Sequence, residues 1–241
     1  MRYVAIALSI ALLGVVGFAE DKKAADAKPQ AAWKSLFDGK TLEGWKETEF
    51  GAHGHPSVEN GLLVVPAGDP LSGVTREKDD VPHVNFEVEL EAQKVQGDDF
   101  FLALTFPVND SHASLVLGGW GGGVCGISSI DGRDASENPT TSYRKLDAGK
   151  WYKVRVRVTK DHIGAWLDGE EIVDADIADA KIGVRIEVTP SKPFGLATYM
   201  TKGAYRNIRV RELTADEVKG AKADAPADKG FDPSKPPAKK S

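Results

Sequence analysis

At residues 152–159 the chain reads Tyr-Lys-Val-Arg-Val-Arg-Val-Thr, so every second side chain is apolar and those between are polar or charged. A period of two predicts a β-strand with one face on a hydrophobic core and the other toward water. The same alternation occurs at residues 86–91 and 207–211. Strands that are half buried in this way are typical of a sheet that packs against a second sheet.

Strand-like segments continue through the middle of the chain. Further candidates are residues 61–65, 100–106, 114–117, 124–130, 163–167 and 194–200. Tight turns between strands are indicated at Asn60-Gly61, Asp131-Gly132 and Asp168-Gly169. Because no long amphipathic helix competes, a parallel βαβ sheet is excluded. The sequence therefore predicts an all-β fold, an antiparallel two-sheet sandwich or jelly roll.

The segment Phe100-Phe101-Leu102-Ala103-Leu104-Thr105-Phe106 is apolar on both of its faces. A strand in the middle of a sheet that is covered on both sides has this composition. We therefore expect it to be a central strand.

The two ends of the chain differ from this middle. Residues 1–19 combine a positive start, a short apolar run and a small-residue cleavage pattern, which predicts a secretory signal peptide rather than a stable membrane span. Residues 20–32 and 214–241 are rich in Ala, Lys and Asp and nearly free of aromatic residues, so they are predicted to be a linker and a disordered tail. We expect residues 33–213 to form one β-sandwich domain of an exported protein, periplasmic or extracellular.

Composition narrows the possible partners. The net charge is −5 and the chain has no cluster of basic residues, so nucleic acid is not expected as a partner. Cys125 is the sole cysteine, which excludes an internal disulfide. The domain must therefore be stabilised by burial, and the Cys125 thiol is expected to be buried and unreactive.

Motifs near both ends of the predicted domain carry a resemblance to a known family. The opening motif is Trp33-Lys34-Ser35-Leu36-Phe37-Asp38-Gly39-Lys40-Thr41-Leu42-Glu43-Gly44-Trp45, followed by Val58-Glu59-Asn60-Gly61-Leu62-Leu63-Val64. The closing motifs are Gly149-Lys150-Trp151-Tyr152-Lys153-Val154-Arg155-Val156, Ala165-Trp166-Leu167-Asp168-Gly169 and Tyr205-Arg206-Asn207-Ile208-Arg209-Val210. In order and spacing they resemble the 3-keto-disaccharide hydrolase domain family, formerly a domain of unknown function.

This resemblance implies both a fold and a chemistry. The implied fold is a jelly-roll sandwich of the concanavalin A-like lectin/glucanase type. The implied activity is cleavage of 3-keto-glycosides by hydrolysis or elimination in an exported protein, with a divalent metal ion as cofactor in some members. The implied partner is a carbohydrate, either a glycoside or an oligosaccharide.

The chain departs from the family pattern at two places. Where members commonly carry a Gly-Asn-Ser-Gly stretch leading to an arginine on a central strand, residues 97–107 read Gly-Asp-Asp-Phe-Phe-Leu-Ala-Leu-Thr-Phe-Pro, and the arginine is missing. Ala165 stands where many members have a polar residue or a histidine. Both changes bear on catalysis and leave the fold prediction intact.

Candidate catalytic residues follow from the chemistry of 3-keto sugars. Such a sugar is cleaved by paired carboxylates or by a base that removes the C2 proton, which the neighbouring ketone makes acidic. Asp98 and Asp99 are the candidate carboxylates, and His112, which precedes a predicted strand, is a candidate base at the rim of the sheet. Asp131 and Asp134 are further carboxylates, but aspartates in turn-like segments are also explained by turn geometry alone.

Candidate sugar-binding residues are aromatic or form hydrogen bonds. Trp120 is flanked by five glycines, so its indole is either open to a sugar or folded back onto the core. Tyr143 and Arg144 end a polar loop and are candidates for bonds to sugar hydroxyls, although ordinary surface exposure is the better explanation of Arg144. Trp166 lies on a predicted strand and is a candidate for an open face of the sandwich.

The histidines do not form a metal motif with tight spacing, and the sequence leaves the metal ligands unknown. His53-Gly54-His55 is the nearest approach to a metal-binding pair. Since no carboxylate neighbours them in the sequence, we expect these loop histidines to be solvated.

Two functional interpretations remain open. The first is an exported carbohydrate-active protein that cleaves 3-keto-glycosides, leaning toward a glycoside hydrolase or lyase. The second is a non-catalytic glycan-binding or structural envelope module that has kept the fold and lost the active-site groups.

Overall fold

Two antiparallel β-sheets pack face to face and enclose one hydrophobic core. The computed structural model describes residues 31–223. The predicted signal peptide, all but the last two residues of the predicted linker and the tail beyond residue 223 lie outside the described residues.

Fifteen strands make up the two sheets. In chain order they are β1 (Lys34–Ser35), β2 (Trp45–Glu47), β3 (Ser57–Glu59), β4 (Leu62–Val65), β5 (Leu71–Arg76), β6 (Phe86–Gln96), β7 (Leu102–Val108), β8 (Ser111–Gly118), β9 (Val124–Ser128), β10 (Ser142–Tyr143), β11 (Trp151–Val158), β12 (His162–Leu167), β13 (Glu170–Asp176), β14 (Gly195–Tyr199) and β15 (Lys202–Glu212). The first sheet has the order β13-β12-β11-β6-β15-β4-β3, with β1 also paired to β15. The second sheet has the order β10-β9-β8-β7-β14-β5-β2. The predicted all-β sandwich is confirmed.

The apolar residues of the alternating segments are buried in the core, and the polar residues between them face solvent. On β11, Tyr152 is 3% exposed, and Val154, Val156 and Val158 are fully buried, because these side chains point at the second sheet. The predicted turns are confirmed as well. At Asn60-Gly61 the φ angles are 52° and 83°, the left-handed conformation that both central residues of a type I′ hairpin turn require.

On its solvent face the first sheet carries a ladder of charges. Three glutamates of β6, namely Glu87, Glu89 and Glu91, each lie between two basic residues, one on each neighbouring strand. The partners on β15 are Arg211, Arg209 and Arg206, and those on β11 are Arg157, Arg155 and Lys153. Opposite charges in direct cross-strand register stabilise the pairing of the strands.

β7 is the central strand of the second sheet, as its two apolar faces predict. Leu102, Leu104 and Phe106 are fully buried in the core between the sheets. Ala103 and Thr105 point to the opposite face, which we call the open face of the second sheet.

The open face is built from small and hydroxyl-bearing residues in register. One cross-strand row consists of Gly73, Ala197, Ala103, Val116 and Gly126. The adjacent row consists of Thr75, Gly195, Thr105, Ser114 and Ser128. Because these side chains are short, they leave room above the sheet.

A 3₁₀ helix, Ile186–Ser191, passes over part of this face, and Thr75 Oγ1 donates a hydrogen bond to Pro190 O at 3.2 Å. An α-helix, Ala215–Ala223, occupies the start of the region predicted to be a disordered tail. It begins with a capping box, in which Thr214 N donates to Glu217 Oε2 at 2.9 Å and Glu217 N donates to Thr214 Oγ1 at 3.4 Å. Within residues 31–223, no helix has the length and apolar character needed to cross a membrane.

Candidate functional site

A cavity of about 380 Å³ lies on the open face of the second sheet. Its floor is formed by side chains of β7, β8 and β9, and its walls by three loops and the 3₁₀ helix. The lining residues are Pro70, Leu71, Asp99, Phe100, Ala103, Ser114, Val116, Trp120, Ser128, Arg185, Glu187, Val188 and Tyr199. The volume falls within the range of small-molecule binding sites.

Trp120 stands at the edge of the cavity with its side chain open to solvent. It is 44% exposed, and its φ angle of 51° places it in a left-handed turn at Gly119–Gly122. Gly122 must be a glycine here, because a Cβ would lie 2.8 Å from Asp98 O. Of the two alternatives that the sequence left open, the Trp120 indole is open to solvent at the edge of the cavity and not folded onto the core.

Asp99 is held rigidly on the wall of the cavity. Its Oδ1 accepts a hydrogen bond from Phe100 N at 2.7 Å, and its Oδ2 accepts one from Gly121 N at 2.9 Å. Its own backbone N donates to Thr201 Oγ1 at 3.1 Å. The carboxylate thus joins the turn that carries Trp120 to the start of β7 and is oriented by the backbone.

Two aromatic rings continue the wall beside Asp99. The ring centroids of Phe100 and Tyr199 are 5.6 Å apart with planes tilted by 46°. Tyr199 N donates to Phe100 O at 3.1 Å, which fixes the two residues together. With Trp120, the cavity presents three aromatic side chains, the type of surface on which sugar rings stack.

Arg185 and Glu187 bring opposite charges to the other side of the cavity. Arg185 donates to Glu187 Oε1 at 2.9 Å and to Asp134 Oδ2 at 2.5 Å. The ion pair raises the pKa of Arg185 and lowers the pKa of Glu187, chiefly through the hydrogen bonds between them. Both groups are therefore charged at neutral pH.

The floor of the cavity offers a hydroxyl that the protein leaves without a partner. Thr105 Oγ1 and Ser114 Oγ are hydrogen bonded at 2.8 Å, whereas the buried Ser128 Oγ has no partner among the described residues. Ser128 lies opposite Ser114 in the β8–β9 register. A buried hydroxyl without a partner is costly, so Ser128 is suited to bond a ligand group or a water molecule.

The structure brings two of the seven predicted site residues, Asp99 and Trp120, to the cavity. Asp98 lies on the same loop as Asp99 but is exposed and does not line the cavity. His112 lies on the same face of β8 as Ser114, two residues earlier in the strand, and does not line the cavity. Burial lowers the pKa of His112, and its buried Nε2 has no hydrogen-bond partner within residues 31–223.

The three other predicted residues lie elsewhere. Tyr143 is 64% exposed on the edge strand β10, on the same face as Val124, its partner in register. Arg144 forms an ion pair with Glu170 at 2.8 Å. Trp166 belongs to the first sheet, where Arg155 lies 4.1 Å from the centroid of its ring, so it packs on the charged ladder rather than at the cavity.

Three cavity residues had no signal in the sequence. Arg185 and Glu187 lie in an irregular segment between strands, and Tyr199 ends a strand that reads as core. They line the same cavity as Asp99 because β14, which follows the 3₁₀ helix and ends at Tyr199, pairs with β7.

Metal-binding potential lies outside the cavity. Within the described part of the chain, one group of histidine and acidic side chains has all its ligand atoms within 4.8 Å of one another, namely Glu47, His53 and His55. None of the three lines the cavity. The cavity residues therefore do not fit the divalent metal that the family resemblance implies.

Comparison with solved structures agrees with the fold. A Bacillus subtilis protein of unknown function with a galectin-like fold is 10% identical, with a TM-score of 0.53, covering 77% of this chain and 96% of that one. A Crh5 transglycosylase in complex with NAG is 13% identical, with a TM-score of 0.51, covering 78% of this chain and 88% of that one. At these identities the likeness concerns the sandwich alone.

Comparison with curated proteins finds no match. The profile of the 3-keto-alpha-glucoside-1,2-lyase-like domain, in contrast, matches residues 32–211, which include every strand of both sheets except the last residue of β15. This match confirms the resemblance carried by the opening and closing motifs. The chain belongs to the family of 3-keto-alpha-glucoside-1,2-lyase-like domains.

Proposed function

We propose that this chain is an exported protein that binds a glycoside in the cavity of the second sheet and cleaves 3-keto-glycosides by elimination or hydrolysis. Family membership makes the domain carbohydrate-related. The observation that carries the proposal is the oriented carboxylate of Asp99 beside an aromatic wall, in a cavity of the size of a sugar site.

The walls match the two kinds of surface on a sugar ring. The apolar C–H face of a pyranose packs on aromatic rings, and Trp120, Phe100 and Tyr199 supply such rings. Its hydroxyl groups need hydrogen-bond partners, and Ser128 and Glu187 offer an unpartnered hydroxyl and a carboxylate. A neutral, polar ligand with one apolar face therefore suits this cavity better than a purely apolar one.

The chemistry requires one base and stabilisation of one negative charge. A ketone at C3 acidifies the proton at C2, so a carboxylate can remove it to give an enolate. The enolate electrons then expel the alkoxide at C1, which leaves as an alcohol after taking up a proton, and the product is an unsaturated keto sugar. Addition of water to that product gives net hydrolysis. Asp99 is assigned as the base, and the guanidinium of Arg185 as the cation that faces the developing oxyanion.

Turnover of 3-keto-glycosides by the purified protein tests this assignment, with release of the alcohol followed by NMR. We expect Asp99→Asn to abolish at least about 99% of the activity, since a general base typically contributes 10²-fold or more. Asp98→Asn is the matched control, because Asp98 is the adjacent residue, carries the same charge and does not line the cavity. Equal activities of the two variants would contradict the role of Asp99.

Export is proposed from residues 1–19 alone and has its own test. If the signal peptide is cleaved after Ala19, the secreted protein begins at Glu20, and its intact mass reports that start. A protein that retains Met1 and remains in the cytoplasmic fraction would refute export without affecting the assignment of the cavity.

A second candidate function is a non-catalytic glycan-binding module. It is favoured by one observation, that the charged groups of the cavity are already engaged: both oxygens of Asp99 accept backbone hydrogen bonds, and Arg185 is shared by two carboxylates. The expected result in that case is no turnover by the unaltered protein, together with oligosaccharide binding that Trp120→Ala weakens at least tenfold. Loss of both turnover and binding would refute both candidates.

A further inference from the structure

Three side chains from two separate segments converge at the edge of the second sheet. Glu47 is the last residue of β2, while His53 and His55 lie in the connection from β2 to β3. Their ligand atoms all fall within 4.8 Å of one another. Glu47 Oε2 is 3.2 Å from His53 Nε2 and 3.1 Å from His55 Nδ1.

These separations are close to those of a metal site. With metal–ligand distances near 2.1 Å, the ligand atoms of a tetrahedral zinc site lie about 3.4 Å apart. The two histidine–carboxylate distances here are within about 0.3 Å of that value. Two histidines and one glutamate, with one position left for water, form a ligand set that zinc enzymes use.

The environment of His53 supports a cation at this point. Its Nδ1 lies 2.8 Å from Gly51 O, and its Nε2 lies 3.2 Å from Glu47 Oε2, so both ring nitrogens face atoms that only accept hydrogen bonds. A neutral imidazole has one N–H and cannot satisfy both. If Nδ1–H donates to the Gly51 carbonyl, the lone pair of Nε2 points at the Glu47 carboxylate, and a metal ion between these two atoms would be bound by both.

The backbone holds the two histidines in place before any metal binds. Gly54 N donates to Ser72 Oγ at 2.8 Å, and His53 N donates to Gly51 O at 2.9 Å. A Cβ on Gly54 would lie 2.5 Å from Pro66 Cγ, so only glycine allows the segment to pack this closely on β4 and its neighbours. The expectation that these histidines are solvated is therefore wrong for His53, whose side chain is 13% exposed, and it holds for His55, at 85%.

We propose that Glu47, His53 and His55 bind a divalent transition-metal ion of the zinc class, with at least one coordination position open to water or to an external ligand. The bound ion lies between His53 and Glu47 and fastens the loop of residues 48–56 to β2. The same loop is joined to the cavity wall, because Asp69 N donates to Ala52 O at 3.0 Å and the next two residues, Pro70 and Leu71, line the cavity. The site is separate from the glycoside site and does not depend on the proposed activity.

Direct titration with zinc chloride tests the proposal. The protein, without an affinity tag and treated with chelator, is titrated by calorimetry in a buffer that does not bind metal. We expect one ion per chain, with binding at least tenfold weaker in His55→Ala. His83→Ala is the matched control, since His83 is another surface histidine paired with a carboxylate, Asp79, at 3.0 Å. This control is expected to bind zinc as the unaltered protein does.

Two further measurements guard against a purely structural effect. Cobalt(II) is expected to give the strong visible absorption of a four- or five-coordinate site, and Glu47→Gln is expected to abolish it. Zinc is expected to raise the melting temperature of the unaltered protein but not that of His55→Ala, because a ligand that binds only the folded state stabilises it. Dissociation constants weaker than about 1 mM, or zinc binding by His55→Ala and Glu47→Gln as tight as that of the unaltered protein, would overturn the proposal.

Discussion

Replacement of Glu87 by glutamine is expected to destabilise the domain more than any other neutralisation in the charged ladder. The Glu87 side chain is 2% exposed and faces Arg157, whose Nε and Nη2 lie 2.8 Å and 2.7 Å from Oε1, and Arg211, which bonds to Oε2. Arg211 is itself 4% exposed. Glutamine keeps the shape of the side chain and removes the charge, so two partly or fully buried arginines lose their shared counter-ion.

The magnitude follows from burial. Removal of one partner from a buried ion pair costs about 3–5 kcal/mol, because the other charge remains desolvated. Glu217 still pairs with Arg211 at 2.7 Å, so the lower end, about 3 kcal/mol, is expected. Glu89→Gln is the matched control from the same face of β6, and its partner Arg209 is 45% exposed, for which about 0–1 kcal/mol is expected.

Urea denaturation followed by tryptophan fluorescence measures both variants, since an uncharged denaturant does not screen ion pairs. With a slope of about 2 kcal/mol per molar urea, Glu87→Gln is expected to lower the midpoint by about 1.5 M. The expected decrease for Glu89→Gln is below about 0.5 M. Equal decreases of the urea midpoint for the two variants would show that burial of an ion pair does not determine how much it stabilises the domain.

Three other outcomes are expected. Burial raises the pKa of the Cys125 thiol to about 11. The native protein at about pH 8 should therefore not react with a thiol reagent, whereas the unfolded protein should bind one equivalent. Rapid labelling of the native protein would contradict this expectation. Arg211 lowers the pKa of Glu217 from 4.5 to about 2, so the stability that Glu217 adds is complete above pH 4.5 and is lost as the pH falls toward 2. The midpoint difference from Glu217→Gln should shrink over that window, and a constant difference would refute the pairing. Tyr205→Phe should lower the free energy of unfolding by about 1–2 kcal/mol, because Tyr205 is fully buried and its hydroxyl donates a hydrogen bond to Phe101 O at 2.5 Å. An unchanged midpoint of urea denaturation would mean that this hydrogen bond does not stabilise the protein.

Local patterns in the sequence predict most of the sandwich. Alternation at Tyr152 to Val158 identifies a strand and its buried face, because the side-chain period of a strand is fixed by its geometry. Two-sided apolarity from Phe100 to Phe106 identifies the centre of the second sheet. The exact start of that strand is not predicted: β7 begins at Leu102, and Phe100 belongs to the cavity wall.

The site is predicted only in part, because it depends on contacts between distant segments. Asp99 and Trp120 are found from the sequence. Asp99 is a carboxylate directly before an apolar strand, and Trp120 is flanked by five glycines. Arg185 has no such signal, and Glu47 cannot be linked to His53 before the strand and the loop are folded against each other. His112 lies near the start of β8, on the same face as Ser114 and Val116, but outside the part of the strand that lines the cavity.

The alternation within β7 also bears on how such a protein changes over generations. Its even-numbered residues, such as Leu102 and Leu104, pack in the core between the sheets, while Ala103 and Thr105 lie on the open face of the second sheet. Successive positions of one strand are thus exposed to different selective pressures. Ala103 and Val116 line the cavity and belong with Ala197 to a small buried cluster separate from the main core, so a larger side chain at Ala103 is expected to change the shape of the cavity more than the packing between the sheets.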